Sequence, residues 1–410
     1  MELDTSDVIV VGGGIIGSCI AYYLAREGRD VVVLDPAPGE GASYGNAGML
    51  CPSYSLPMAN PDSLLAGLSI LTGRGPVTFR RPVPARTLLW MARFALACRP
   101  GRAWREAASL HDLTTRSVEL YDEMIADGLD LELRPHGWTY VFHNEGEYHA
   151  HIRFAERLVD AGVRHELLDR DALAAREPNV ARDVAGAVVY PDDRNMDPGR
   201  TTRVVAEAAE KYGARFVKER LVGAERHGGR ITKVWSDHRE LRAGAFVLAT
   251  GAASHSVGRC FGVSLPVEAG HGLSLTLSAP NQQLLTGALM AGDAHVVISP
   301  GANYVRITSG MEFGAHGAPG PLPAAISRMR HLAEVTVPGL RDLPRDGESW
   351  RGARPMTPTG VPIVRPVAEN LIAAVGHNTQ GMTLGPIAGR TVAEQVDSVL
   401  GPRRTNPITY

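Results

Sequence analysis

The chain is poor in lysine: of its 42 basic residues only Lys211, Lys218 and Lys233 are lysines, and the rest are arginine. That skew reads as composition bias. Net charge is nearly absent too, at −2, which excludes the broad basic footprint that nucleic acid binding requires. Cysteine is scarce. Cys19, Cys51, Cys98 and Cys260 form no C-x-x-C and no Cys/His cluster, which argues against a disulfide framework, a zinc or other metal site and a thiol redox pair. A reducing, cytoplasmic setting is the default expectation. No apolar run approaches the ~20 residues of a membrane span. The first basic residue is Arg26, so the N-terminus lacks the positive region of a secretion signal. No internal repeat or low-complexity linker is found. What is abundant is glycine, 45 of 410 residues, about 11% against a usual ~7%. With 44% hydrophobic residues and no G-X-Y period, the excess points to tight turns and close backbone approaches rather than to collagen or disorder.

Asp7 to Val11 is a short apolar run that reads as a buried parallel strand, and it leads into Gly12-Gly13-Gly14-Ile15-Ile16-Gly17. Ile16, Ile20 and Leu24 then recur at helical spacing. Val31 to Leu34 is a second strand, ending at Asp35. This is a β-α-β unit carrying G-x-G-x-x-G in its required place: glycines permit the turn and close approach of a pyrophosphate, and the helix N-terminus offers free N–H groups. A carboxylate at Asp35 suits the ribose hydroxyls and disfavours a 2′-phosphate. Gly12, Gly14, Ile15, Ile16, Gly17, Asp35 and Pro36 are therefore candidate cofactor residues for an adenine dinucleotide. No second G-x-G-x-x-G stands between a strand and a helix, since Gly314, Gly317 and Gly320 have the wrong spacing and lie among prolines. One such site in a long chain suits FAD with an organic reductant.

Gly41 to Pro61 reads as a long loop, of the kind usually kept for function. Helices are expected over Ser63 to Leu71, Thr87 to Ala97, Leu110 to Asp127, Gly146 to Ala161, Asp197 to Tyr212, Ala324 to Val335 and Pro386 to Leu400. Strands are expected at Trp138 to His143, Val184 to Tyr190, Arg215 to Lys218, Ile231 to Ser236, Ala245 to Ala249, His295 to Ser299, Tyr304 to Ser309 and Leu371 to Val375. Dinucleotide signals sit at both ends and near residue 250. The expected fold is thus α/β plus α+β, a Rossmann-like FAD-binding domain (1–60, 196–256 and 350–410) interleaved with a mixed-sheet substrate-binding domain (61–195 and 257–349).

Five motifs occur in one order: the N-terminal G-x-G-x-x-G, Ala42-Ser43-Tyr44-Gly45-Asn46-Ala47-Gly48, Val247-Leu248-Ala249-Thr250-Gly251, Gly352-Ala353-Arg354-Pro355-Met356-Thr357-Pro358, and Gly376-His377-Asn378-Thr379-Gln380-Gly381. Together they span residues 8 to 400, and the chain resembles the D-amino-acid oxidase-like flavoproteins, most of all the D-amino-acid dehydrogenases and their D-hydroxyproline-oxidising relatives. The resemblance implies that Ser43, Asn46, Ala47, Gly48 and Met49 wrap the flavin, that Thr250 and Gly251 lie near its ribityl chain, and that the backbone of Val222 meets adenine. It implies that Gly376, His377, Gly381, Met382 and Thr383 form the turn that aims a helix N-terminus at the ring, where a helix dipole would stabilise negative charge. Arg354 matches the arginine that grips the substrate carboxylate, a role suited to a planar guanidinium. Arg306, Tyr54 and His271 are further candidates for the substrate pocket. Thr379 stands where glycine oxidases carry arginine, which favours the dehydrogenases. No cysteine lies between Gly352 and Met356, where relatives with covalent flavin have one, so noncovalent FAD is expected.

The implied reaction is oxidation of the Cα–N bond of a D- or cyclic amino acid, with Cα–H facing flavin N5. The imine hydrolyses to a 2-oxo acid and ammonia or stays cyclic, and electrons pass to a quinone or another acceptor. Residues Arg86 to Arg105 alternate arginine with Leu88, Leu89, Trp90, Phe94 and Leu96. Such a stripe fits either peripheral contact with the inner face of a membrane or a helix packed on the core. Two other readings stay open: an oxygen-using amine or N-methyl amino-acid oxidase of the sarcosine or glycine oxidase type, and a noncatalytic FAD-binding subunit. Oligomeric state is not legible.

Overall fold

A computed structural model describes residues 4–68, 77–280, 282–314 and 323–401. The end of the helix expected at Ser63 to Leu71, and Gly317 and Gly320, fall outside these residues. Asp4–Val11 forms the expected strand, and Val8, Ile9 and Val10 are fully buried, as a parallel strand covered on both faces must be. It pairs in parallel with Glu240–Leu248 on one side and Val31–Leu34 on the other. Arg215–Val217 extends the sheet beyond Val31–Leu34, while Arg230–Ser236 and Leu221–His227 extend it antiparallel from Glu240–Leu248. Leu371–Val375 adds in parallel to the end of Glu240–Leu248, and Ile363–Ala368 pairs antiparallel with it.

Against this sheet lie Ile15–Arg26, Pro198–Lys211 and Gly381–Leu400. Cys19, Ile20, Leu24, Val205, Val392 and Val396 fill the space between them with no exposure. The last helix starts five residues before the expected Pro386. A proline there removes the donor that the Met382 carbonyl would otherwise receive, and the buried Tyr121 hydroxyl replaces it at 2.7 Å. The helix expected from Leu110 also begins earlier, running Arg102–Ala126. Its first two turns are mostly small or charged, which blurred the apolar period.

A second, nine-stranded sheet is mixed. Its strands run in the spatial order Glu348–Met356, Glu268–Ser278, Tyr304–Phe313, Val296–Pro300, Ala288–Ala291, Trp138–Phe142, Gly186–Tyr190 and Glu166–Leu168, with Val77–Phe79 beside Tyr304–Phe313. The division expected at residue 350 falls inside a strand: Glu348–Met356 pairs along its length with Glu268–Ser278, so residues 350–356 belong with the mixed sheet.

Candidate active site

The glycine turn after the first strand is forced by sterics. Gly12 has φ +108°, and a Cβ on it would collide with the Ala249 carbonyl, so the first and third motifs touch there. Asp35 ties the neighbouring turns together, accepting from Gly13 N–H at 2.7 Å through Oδ2 and from Ala37 N–H at 2.8 Å through Oδ1. Ser43 Oγ accepts from Ile15 N–H at 3.1 Å, and Asn46 Oδ1 accepts from Gly48 N–H at 2.8 Å. The long loop is thereby clamped over the start of the first helix. Thr383 Oγ1 accepts from Cys51 N–H at 3.1 Å, which joins the last helix to the same loop.

These elements enclose one cavity of about 970 Å³. Gly12, Gly14, Ile15, Ile16, Asp35, Pro36, Ser43, Asn46, Ala47, Met49, Thr250, Gly251, His377, Gly381, Met382 and Thr383 all line it. Gly17, Gly48 and Gly376 stand behind its surface and allow close packing, since a Cβ on each would strike Gly12 O, Met196 O and the Thr357 side chain respectively. His377 is buried, and its Nε2 has no partner among the described residues. Burial pushes its pKa down to about 4, so at neutral pH it is an uncharged imidazole.

The cavity continues to a second end walled by the mixed sheet, where Tyr54, Trp138, Tyr140, Met290, Val297, Thr308, Met311 and Arg354 meet. Arg354 Nη1 donates to the Gly310 carbonyl at 2.7 Å. A Cβ on Gly272 of the neighbouring strand would fall on the guanidinium, so that glycine makes its place. Among the described residues no carboxylate pairs with Arg354, and desolvation pulls its pKa down from the usual arginine value. The other cavity arginine on this strand, Arg351, is paired with Glu312 at 2.7 Å. Tyr54 is held by its backbone: its carbonyl accepts from Gln380 Nε2. Its neighbour Ser53 donates through N–H (3.0 Å) and Oγ to the fully buried Asp193.

The family described as "FAD dependent oxidoreductase" matches residues 7–395. The chain belongs to that family. Its fold is similar to those of a glycine oxidase from Geobacillus kaustophilus (24% identity, 99% of this chain and 100% of that one, TM-score 0.74) and an L-proline dehydrogenase from P. horikoshii (18%, 99% and 96%, 0.73). An iminodiacetate oxidase from Chelativorans sp. BNC1 is similar too (19%, 98% and 97%, 0.72).

FAD fits the oxidoreductase's cavity on the structure's own terms. The N-terminus of Ile15–Arg26, with Gly14 at its mouth, provides first-turn N–H groups and positive potential of the kind that binds a pyrophosphate, while Gly12, whose N–H is spent on the Leu34 carbonyl, supplies close backbone approach. Asp35 and Gly381, the latter at the start of the last helix, both line this cavity.

Three expectations are corrected. Arg306 is buried, but its Nη1 donates to the carbonyls of Tyr44 (3.2 Å) and Asn46 (3.1 Å) and its Nε to Thr276 Oγ1 (3.1 Å). It lies outside the cavity lining and pins the Ser43–Gly48 loop to the mixed sheet. Period-two alternation could not say which face of its strand met that loop. His271 also lies off the cavity; its neighbours Gly272 and Leu273 line it instead. Val222 is 54% exposed and does not line the cavity, whereas Arg220 and Leu221 do. Sequence reasoning missed Trp350, which lines the cavity and whose ring occupies the space left by Gly45 and Gly352. It also missed Trp138, Tyr140 and Gly272, which carry no motif.

Proposed function

We propose that this oxidoreductase oxidises the Cα–N bond of a D-amino acid, with D-proline and hydroxyproline types included, using noncovalently held FAD and passing electrons to a quinone or another acceptor. The observation that carries this reading is Arg354: a guanidinium with no acidic partner among the described residues, seated against Gly272 at the end of the cavity walled by the mixed sheet. Its planar fork suits a carboxylate, and a half-buried, desolvated charge of that kind favours a counter-ion. The acidic residues of the described lining are Asp35 and Glu40, both close in sequence to the glycine turn, and of the two lining arginines on the Arg354 strand only Arg351 has a carboxylate partner among the described residues.

Bound FAD supplies a two-electron acceptor. The chain supplies orientation: with the carboxylate on Arg354, the substrate's Cα–H is turned toward the flavin end while Tyr54, Trp138, Tyr140, Met290 and Val297 surround the side chain and exclude water. Bound there, FAD would accept the two electrons of the Cα–H bond while the lone pair of the amine nitrogen closes the C=N bond, and Arg354 holds the carboxylate throughout. Among the described residues no carboxylate base stands at this end, and the depressed pKa of His377, about 4, makes it a weak base. The substrate therefore enters with a neutral amine, and a cyclic or secondary amine product loses its remaining N–H proton to solvent or stays an iminium. The D configuration is supported by the sequence resemblance, Thr379 included. A glycine oxidase and an iminodiacetate oxidase share the fold at full coverage, which supports a second reading, an oxygen-using oxidase of small amines or N-methyl amino acids.

Anaerobic mixing of the yellow protein with D-amino acids, D-proline, the hydroxyproline epimers and sarcosine tests both. Bleaching by D-amino acids or D-proline, absent with the same amines lacking the carboxylate, is expected. Bleaching by sarcosine alone, with peroxide released in air, would establish the second reading, and no bleaching by any would contradict catalysis of this class.

A further inference from the structure

The helix Ala85–Ala97 is apolar on both sides. Thr87, Trp90 and Ala97 are buried, and Trp90 packs with Phe313 and Met356 while its Nε1 donates to the Met356 carbonyl at 2.9 Å. The opposite side faces outward, yet Leu88, Leu89, Ala92, Ala95 and Leu96 are exposed on it, with Arg93 as its one charge, and the three leucines are 52%, 55% and 67% exposed. A helix that is hydrophobic all round is normally enclosed, and a contiguous exposed apolar face marks an interaction surface. Charge identifies what it meets. From Ser63 to Arg105 the chain carries eight arginines and not one Asp, Glu or Lys, within a protein whose net charge is −2. Arg86 pairs with Glu268 and Arg102 with Glu106. Arg80, Arg81, Arg93, Arg99 and Arg105 are exposed, with no carboxylate partner among the described residues.

We propose that the outward face of Ala85–Ala97 seats on an anionic lipid surface, its leucines entering the headgroup boundary and the arginines around it meeting lipid phosphates. Interfacial helices combine these two features, and each arginine near such a surface adds to the attraction. A second copy of the chain is a poor occupant, because a two-fold contact places the same patch on itself and would oppose arginine to arginine. Among the described residues no helix is long and apolar enough to cross a membrane, so the seating is peripheral. It stands whichever substrate or acceptor the enzyme uses.

Co-sedimentation of the full-length, FAD-loaded protein with vesicles tests it. Wild type is expected to sediment with phosphatidylglycerol-containing vesicles, to remain in solution with pure phosphatidylcholine, and to be released by high salt. Two variants, Leu88→Ser/Leu89→Ser/Leu96→Ser and Arg93→Gln/Arg99→Gln, should each lose about tenfold or more in anionic-vesicle affinity while keeping the flavin spectrum of wild type. Wild type that stays in the supernatant with anionic vesicles, or a leucine variant that binds them as well as wild type, would overturn the proposal. So would self-association abolished by the leucine changes without any vesicle binding, which would assign the face to a second copy.

Discussion

At the glycine end of the cavity the wall is mostly backbone, and at the Arg354 end it is mostly side chains. Gly12, Gly14 and the Ser43–Gly48 loop present peptide groups fixed by short local hydrogen bonds, so what matters there is the absence of Cβ atoms. Tyr54, Trp138, Tyr140, Met290 and Arg354 come from stretches far apart in the chain and meet only because the mixed sheet aligns them. The first end is set by conformation and tolerates little; the second is set by shape and charge and can be altered while the protein still folds.

The sharpest break should come from Gly12→Ala. The left-handed φ and the collision with a main-chain carbonyl cannot be relieved by moving a side chain, so a loss of more than about 3 kcal/mol is expected, read as little soluble yellow protein. Gly272→Ala probes the other end. Its new methyl strikes the movable tip of Arg354, so the variant should fold and hold flavin while kcat/KM for a carboxylate substrate drops by roughly 10²; steady-state kinetics with the flavin spectrum as control would show it. Arg306→Met lies between the two. Removing the donor to the Tyr44 and Asn46 carbonyls should weaken flavin binding by about tenfold and leave substrate KM of the flavin-saturated enzyme unchanged, as equilibrium dialysis and kinetics can separate.

The smallest effect concerns Asp193, beneath the Tyr54 loop. Burial raises its carboxyl to about 7 from an ordinary 3.8, despite the two bonds from Ser53. Because the folded state holds this proton more tightly than the unfolded chain, its contribution to stability falls as pH climbs from about 4 to about 7 and is level above that. His377 has the opposite sign, since its depressed pKa makes acidification from about 6.5 to about 4 destabilising. Asp193→Asn should therefore melt a few degrees higher than wild type at pH 8 and lose that advantage near pH 4, as thermal scans across pH would show.

The comparison also explains what could be read beforehand. The glycine end is written in short contiguous motifs close together in the chain: Gly13 bonds to Asp35, 22 residues on, and Ile15 to Ser43, 28 residues on, and the cavity lining includes most of these residues. Arg354 was legible through a motif. Trp138 and Tyr140 were not, because their place beside Met290 depends on Trp138–Phe142 pairing with Ala288–Ala291 across some 150 residues, and nothing local encodes that register. Arg306 shows the same limit from the other side: its strand was read correctly, but the loop it grips lies 260 residues away. Helix ends failed for a different reason, since Tyr121 supplies from afar the hydrogen bond that Pro386 denies.

The central assignment is the carboxylate clamp, and substrate binding to Arg354→Lys measures it most directly. In anaerobic titrations of the flavin spectrum, a change of about 2 to 3 kcal/mol, some 10²-fold weaker binding of a reducing D-amino acid, is expected with flavin content unaltered. Equal affinity in the lysine variant and the wild type would contradict it.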